Sequence, residues 1–330
     1  MPPPARASTK GAVVPPPVAA PPLARWVSDA ARATFAAEVC GRAEGFSSLL
    51  DARAKYDIEN RRHLATMRSL FAVETRAMRI AGVSVDLVVP AGVSTAALPG
   101  GPILISLHGG GFAWGAGAGA LLEAVPIAAV SGLPVLAIDY RMAPEHRHPA
   151  AVEDVVDVYQ TLLSDRESGQ IGIYGCSAGG ALVAQTVARL AALGRPAPGA
   201  VAMLHAAGLE LGGDLLALAP MLTADDPAAG VGSLAALPYL EDADAADPLV
   251  FPGEHPQVMA AFPPSLLITA TRDFAASSVS VMHRRLLAQG VEAEFILFDG
   301  LWHAFHMSGD LPESRELYDR LSEFFLRRLR

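Results

Sequence analysis

Only two cysteines, Cys40 and Cys176, occur in 330 residues, so no disulfide framework is available, and reduced thiols in a cytoplasmic setting are expected. There is no cluster of basic residues either. The formal net charge is -9, and the absence of a lysine- or arginine-rich amphipathic stretch argues against nucleic-acid binding and against attachment to an anionic membrane. Long apolar runs are missing too: the run from Leu121 to Leu136 is interrupted by Glu123, Pro126, Ser131 and Pro134, so no segment reaches the roughly 20 residues a membrane span needs. No repeat of fixed period is seen. Residues 1–25 are rich in proline and alanine but lack the continuous apolar segment of a secretory signal, and are expected to form a flexible extension.

What the chain does have is apolar residues, 52% of the total, enough for one large core or a core with a smaller appendage. From Arg25 to Ala72 the spacing of Phe35, Val39, Phe46, Leu49 and Leu50 predicts one or two helices, and residues 26–72 are assigned to an N-terminal helical cap. Short apolar runs follow, around Met78–Ile80, Val83–Val89, Ile103–Leu107, Pro134–Ile138, Ile171–Tyr174, Ala200–Leu204, Ser265–Ala270 and Glu294–Phe298. Helical patterns such as Val152–Leu163 and Val279–Ala288 separate several of them, so an α/β fold with a mostly parallel sheet covered on both faces is expected. The core is assigned to 73–207 and 264–330. Residues 208–263 break the rhythm with glycine, proline and acidic residues, and are expected to form a second cap over the sheet's carboxyl edge.

Gly175-Cys176-Ser177-Ala178-Gly179-Gly180 joins an apolar strand pattern to a helical one, the context of a nucleophile elbow, with Ser177 as the nucleophile. Glycines at 175 and 179 are expected because strand and helix backbones nearly touch there. Serine needs a base, and of the nine histidines His303 is favoured, since it follows the last strand pattern; His306 is its nearest rival. The imidazole in turn needs a carboxylate. Asp273, just after the run Ser265–Ala270, is favoured over Asp247 and Asp299, although an aspartate there could simply cap the next helix. His108-Gly109-Gly110-Gly111 follows a buried strand pattern, and the amides of Gly110, Gly111 and Ala178 are the candidate oxyanion donors. Phe112 and Trp114 are candidate pocket walls; Trp26, Phe35 and Trp302 could line it or pack in the core. His146-Arg147-His148 has metal-like spacing but no carboxylate or cysteine to complete a ligand set, so no metal site is expected.

With these residues together, the chain resembles the bacterial hormone-sensitive lipase family of α/β-hydrolases from about Ala72 onward. The resemblance rests on His108 to Gly115, Asp139-Tyr-Arg-Met-Ala-Pro-Glu-His146, the elbow at Ser177, Asp247-Pro-Leu-Val-Phe-Pro252 and the loop around His303. It implies an eight-stranded mixed sheet, a helical cap and cofactor-free hydrolysis of carboxylic esters, usually with short acyl chains, by a monomer or homodimer. It also implies that Asp273 is the triad acid, that Asp247 is structural, and that Arg141 and Glu145 tie loops by ion pairing. Cys176 stands where the family usually has aspartate, and Phe274-Ala275 replaces its usual proline-leucine. The alternatives are a hydrolase of amides or lactones and an inactive small-molecule receptor on the same scaffold.

Overall fold

The computed structural model describes residues 20–40, 48–96, 98, 100–223 and 232–330. Among these, eight strands form one sheet in the order β1-β2-β4-β3-β5-β6-β7-β8. They are β1 (Val73–Ile80), β2 (Val83–Pro90), β3 (Ile103–Leu107), β4 (Val135–Asp139), β5 (Ile171–Cys176), β6 (Ala200–Leu204), β7 (Ser265–Arg272) and β8 (Ala293–Trp302). β2 is antiparallel to both its neighbours, and every pairing from β4 to β8 is parallel.

The central strands read as continuous apolar runs because both faces are covered. Ile103, Ile105, Ile171, Ile173, Val201 and Met203 enter one hydrophobic cluster, while Leu104, Tyr174, Cys176, Ala202 and Leu204 enter the other. This period of two sends alternate side chains to opposite faces. Helices α3 (Ala118–Ser131) and α9 (Pro312–Arg328) cover one face, and α4 (Ala150–Leu162), α5 (Ala178–Ala192) and α8 (Ala276–Ala288) the other. None of the described helices is long and apolar enough to cross a membrane.

The N-terminal block forms α1 (Asp29–Thr34), a π-helical turn over Phe35–Val39, and α2 (Leu49–Leu70), which packs against α3. Ser28 caps α1 through Ala31 N–H and is itself held by Glu313 of α9, at 2.7 and 2.9 Å. Phe46, one of the residues predicted to mark the helical face, lies outside the described residues, as do residues 1–19 of the expected extension. Residues 20–25, assigned to that extension, are bound down instead. Arg272 donates to the carbonyls of Pro21 and Pro22, and Arg32 to that of Leu23.

Within 208–263, α6 (Asp214–Thr223) packs on β7 and α8. Glu210 closes the excursion that carries it, accepting from the amides of Leu211, Leu234 and Ala235 and from Ser233 Oγ. Beyond that clamp, Leu234, Tyr239, Leu240, Val250 and Phe251 are buried in the main core, and the short α7 (Pro256–Met259) lies near α5 and α8. Asp247 accepts from Leu249 N–H at 2.8 Å and closes a turn.

The sharp reversal after β5 depends on missing side chains. A Cβ on Gly179 would lie 1.9 Å from the carbonyl oxygen of Leu107, and one on Gly175 would lie 2.6 Å from the backbone of Gly179. Gly179→Ala is therefore expected to destabilise the fold by at least about 3 kcal/mol. Gly82→Ala, at φ 84° with no atom within 4 Å, should cost about 1 kcal/mol, from backbone strain alone. Urea denaturation of both variants checks this; equal losses would mean that the elbow is not tightly packed.

Candidate active site

Parallel strands end on the same edge of the sheet, so the segments after β3, β5, β6, β7 and β8 meet there. Between the end of β5 and the start of α5, Ser177 makes the whole reversal at φ 55°, ψ -124°, a conformation disfavoured for non-glycine residues. Its amide donates to the carbonyl of Leu204 at 2.8 Å, fixing the turn against β6. The side chain then meets the loop after β8: Ser177 Oγ lies 3.0 Å from His303 Nε2.

His303 Nδ1 lies 2.7 Å from Asp273 Oδ1, so Ser177, His303 and Asp273 form one hydrogen-bonded line. Asp273 is fully buried. Burial alone would raise its pKa, but the charge of His303 and hydrogen bonds from His205 and His303 outweigh it and hold the carboxylate far below its usual range. Further donors are Ala275 N–H to Oδ1 at 2.9 Å and Thr269 Oγ1 to Oδ2 at 2.7 Å. Phe274, which replaces the family's proline, stacks on the His303 ring at 4.3 Å.

The rivals stand elsewhere. His306 is buried and bonded to Glu123 at 2.8 Å, and Asp299 accepts from Thr271 and from Trp26 Nε1. Glu123, Cys176 and His306 bring one ligand-type atom each within 4.8 Å of one another, all buried. Three ligands fall short of the four of a closed zinc site, and His306 Nε2 is already engaged by Glu123. Cys176 itself packs into the hydrophobic face, and burial pushes its thiol well above the usual range, which makes it a poor nucleophile.

The glycine loop after β3 lies directly against the elbow: a Cβ on Gly109 would be 3.2 Å from Ser177 Cβ. Gly110 and Gly111 adopt φ 110° and 58°, and a Cβ on Gly110 would strike the carbonyl of Trp114. Among the described residues, no acceptor engages the amides of Gly110, Gly111 or Ala178, and the last lies at the N-terminus of α5. His108 is buried beneath the loop, stacked on Tyr140 at 4.1 Å, with the Tyr140 hydroxyl donating to its carbonyl.

A cavity of about 700 Å³ opens onto these groups. Trp114 lines it, stacked on Tyr56 of α2 at 4.9 Å, and Trp302 lines it as well. Phe112 does not. Its φ of 57° turns the ring inward, where it is fully buried and stacks on Tyr239 at 4.5 Å, so the expected pocket wall is a core residue supporting the loop from below. Phe35 is likewise buried, packed on Trp302, and Trp26 is largely exposed. Leu216, Ala219, Pro220, Leu234 and Leu237 form an apolar wall, while Tyr56, Glu59, Asn60 and His63 of α2 form a polar one.

Arg141 and Glu145 each form an ion pair. Arg141 pairs with Asp154 at 2.8 Å, and Glu145 takes a bidentate hydrogen bond from Arg53 of α2, which holds its carboxyl at about 2. Arg53 also donates to the carbonyl of Ala113, which ties α2 to the glycine loop. Sequence reasoning missed Arg53, Phe274 and His205. His205 had a signal, since it directly follows the run Ala200–Leu204 on the edge where the site residues gather.

A family model described as the alpha/beta hydrolase fold matches residues 104–307. LipR of Mycobacterium tuberculosis, named for acetyl-hydrolase activity, is 31% identical over 241 residues, covering 72% of this chain and 75% of its own. An esterase of Acinetobacter venetianus is 25% identical over 260 residues, 76% of this chain and 82% of its own. Among solved structures, esterase E25 superposes with a TM-score of 0.79 at 27% identity, covering 94% of this chain and 97% of its own. An esterase of the bacterial hormone-sensitive lipase family gives 0.74 at 26% identity, over 87% and 94% of the two chains.

The buried histidine beside Asp273 should leave a mark on stability. Burial lowers the pKa of His205 to about 4, against the pull of Asp273, whereas an unfolded histidine titrates near 6.5. Between those values the unfolded chain binds a proton that the folded one does not, so stability is complete above about pH 6.5 and declines as pH falls through about 4. The expected loss is roughly 3 kcal/mol, read from urea denaturation across that window. A flat profile there would show that His205 is not held neutral.

Proposed function

The chain belongs to the bacterial hormone-sensitive lipase family of α/β-hydrolases, a family of ester hydrolases, and on that premise we propose that it cleaves carboxylic esters through Ser177, His303 and Asp273 and an acyl-enzyme intermediate. The observation that carries the reading is the unbroken line Ser177 Oγ, His303 Nε2, His303 Nδ1, Asp273 Oδ1, with spacings of 3.0 and 2.7 Å.

In this scheme Ser177 Oγ attacks the ester carbonyl as its proton passes to His303 Nε2. The imidazolium so formed sits against Asp273, which stays ionised throughout. The carbonyl electron pair moves to oxygen, where the amides of Gly110, Gly111 and Ala178 receive it; each such donor is worth about 3 kcal/mol in the transition state. Collapse of the tetrahedral intermediate expels the alcohol, which takes the proton from His303. Water then enters, gives a proton to His303 and cleaves the acyl-serine by the same steps in reverse.

A cavity with one apolar and one polar wall suits an ester whose acyl and alcohol parts differ in polarity. Short acyl chains are the proposed preference, in keeping with the acetyl-hydrolase name of LipR. The helices of 26–72 and the α6 excursion within 208–263 are proposed as the caps that bound this space, on a catalytic core made of the remaining strands and helices.

Ser177→Ala is expected to reduce hydrolysis of p-nitrophenyl acetate and butyrate by about 10⁴-fold or more with the melting temperature unchanged. A fluorophosphonate should label the wild type at Ser177 and leave the variant unmarked. Unchanged turnover in Ser177→Ala, or an unlabelled wild type, would refute the proposal, and the second outcome would favour an inactive receptor. A p-nitrophenyl series from acetate to decanoate tests the acyl preference: kcat/KM should fall beyond butyrate.

A further inference from the structure

Asp273 is shared by two imidazoles. His303 occupies Oδ1, and His205 Nδ1 occupies Oδ2 at 2.7 Å, both partners of this second contact being fully buried. His205 follows β6 at φ 56°, in the left-handed region that histidine, asparagine and aspartate tolerate better than most residues. Its amide extends the β6–β7 pairing to Ile268, at 2.8 Å, and its side chain turns toward the acid. A strained backbone retained for one side-chain contact points to a demand at the site rather than to packing alone.

The charge state follows from the surroundings. Around His205 stand Asp273 from the end of β7, His303 and His306 from the loop after β8, and, behind His306, Glu123 of α3. The His306 ring stacks on it at 5.4 Å and 7°, Phe305 meets it edge-on, and its Nε2 is buried without a partner among the described residues. A lone pair on that atom is tolerable, whereas an N–H there would be a buried donor with nothing to accept it. The ring is therefore neutral, with its proton on Nδ1 and directed at Asp273.

We propose that His205 is a positioning residue for the hydrolytic centre: it donates permanently to Asp273 Oδ2, fixes the carboxylate plane so that Oδ1 faces His303, and draws charge away from Oδ1. This rests on the triad reading above. Two consequences are specific to it. Without the donor Oδ2 is held by the Thr269 hydroxyl alone and the carboxylate is less firmly oriented, so kcat falls while substrate binding in the cavity, and with it KM, is little affected. More charge also collects on Oδ1, which stabilises protonated His303, so the acid limb of kcat/KM moves to higher pH.

The test compares His205→Phe, which keeps a ring but no donor, with His205→Asn, whose amide nitrogen reaches nearly to the position of Nδ1 and tolerates positive φ. His205→Phe should lower kcat by about tenfold or more and raise the acid limb by about half a pH unit or more, and His205→Asn should stay within about threefold of wild type. A wild-type kcat and acid limb in His205→Phe would overturn the proposal, as would an Asn variant impaired as deeply as the Phe variant. Should His205→Phe not fold, proton NMR decides. The charge-assisted bond predicts a downfield, slowly exchanging imidazole proton that persists in Ser177→Ala and is lost in His205→Asn, and a wild type lacking it would overturn the proposal. Absence of wild-type turnover would sink the esterase reading while leaving that resonance in place; normal turnover with an unmoved limb would sink this inference alone.

Discussion

A carboxylate without solvent contact is the demand around which this fold is assembled. Asp273 can stay ionised only if donors replace the water it has lost, and it has four: Ala275 N–H, the Thr269 hydroxyl and two imidazoles. These come from the start of α8, from β7, from the end of β6 and from the loop after β8. No local stretch of chain supplies them all, so the charge exists only when three strands are in register. The same donors fix the angle at which Asp273 meets His303, which makes ionisation and orientation one structural fact.

The other half of the centre depends on close approach rather than charge. Ser177 reaches His303 because β5 reverses into α5 within one residue, and the reversal is open only because Gly175 and Gly179 leave room for the carbonyl of Leu107. That contact also draws the end of β3 against the elbow, and the glycine loop continues directly from there. Ser177 and the amides of Gly110, Gly111 and Ala178 are thus set by the same backbone packing. Phe112 belongs to this arrangement: wedged on Tyr239, it holds the loop from the core side, while Trp114 faces the cavity.

Such backbone packing leaves a dense signature in the sequence, which is why the elbow, the glycine loop and the strands were legible. The strand runs recur where predicted because residues buried on both faces must be apolar. Asp273 was legible from its place after a strand, and so was His303. Phe112 is not legible as a core residue because it directly follows the glycines in the sequence, whereas a positive φ at that residue turns its ring into the core. His205 was passed over for a different reason. A histidine's role is set by what lies opposite it in space, and Asp273 is 68 residues away.

The segments proposed as caps are hard to read because they are held by guanidinium and carboxylate groups on backbone atoms, contacts with no periodicity. Arg272 donates to the carbonyls of Pro21, Pro22 and Leu222, joining the N-terminal segment to the end of α6; Glu210 clamps both ends of the α6 excursion. Arg53 reaches from α2 to Ala113, and Tyr56 on the next turn of that helix stacks on Trp114. Because Ala113 and Trp114 both donate their amides to the carbonyl of Gly110, α2 is two hydrogen bonds from the amides proposed to receive the oxyanion. In the proposed reaction, displacing α2 to admit a bulkier ester would pull on the loop assigned to stabilise its transition state. On that proposal, selectivity for substrate size and the rate of the chemical step would be linked through one helix, and a change in the α2 face that enlarges the cavity would alter both together.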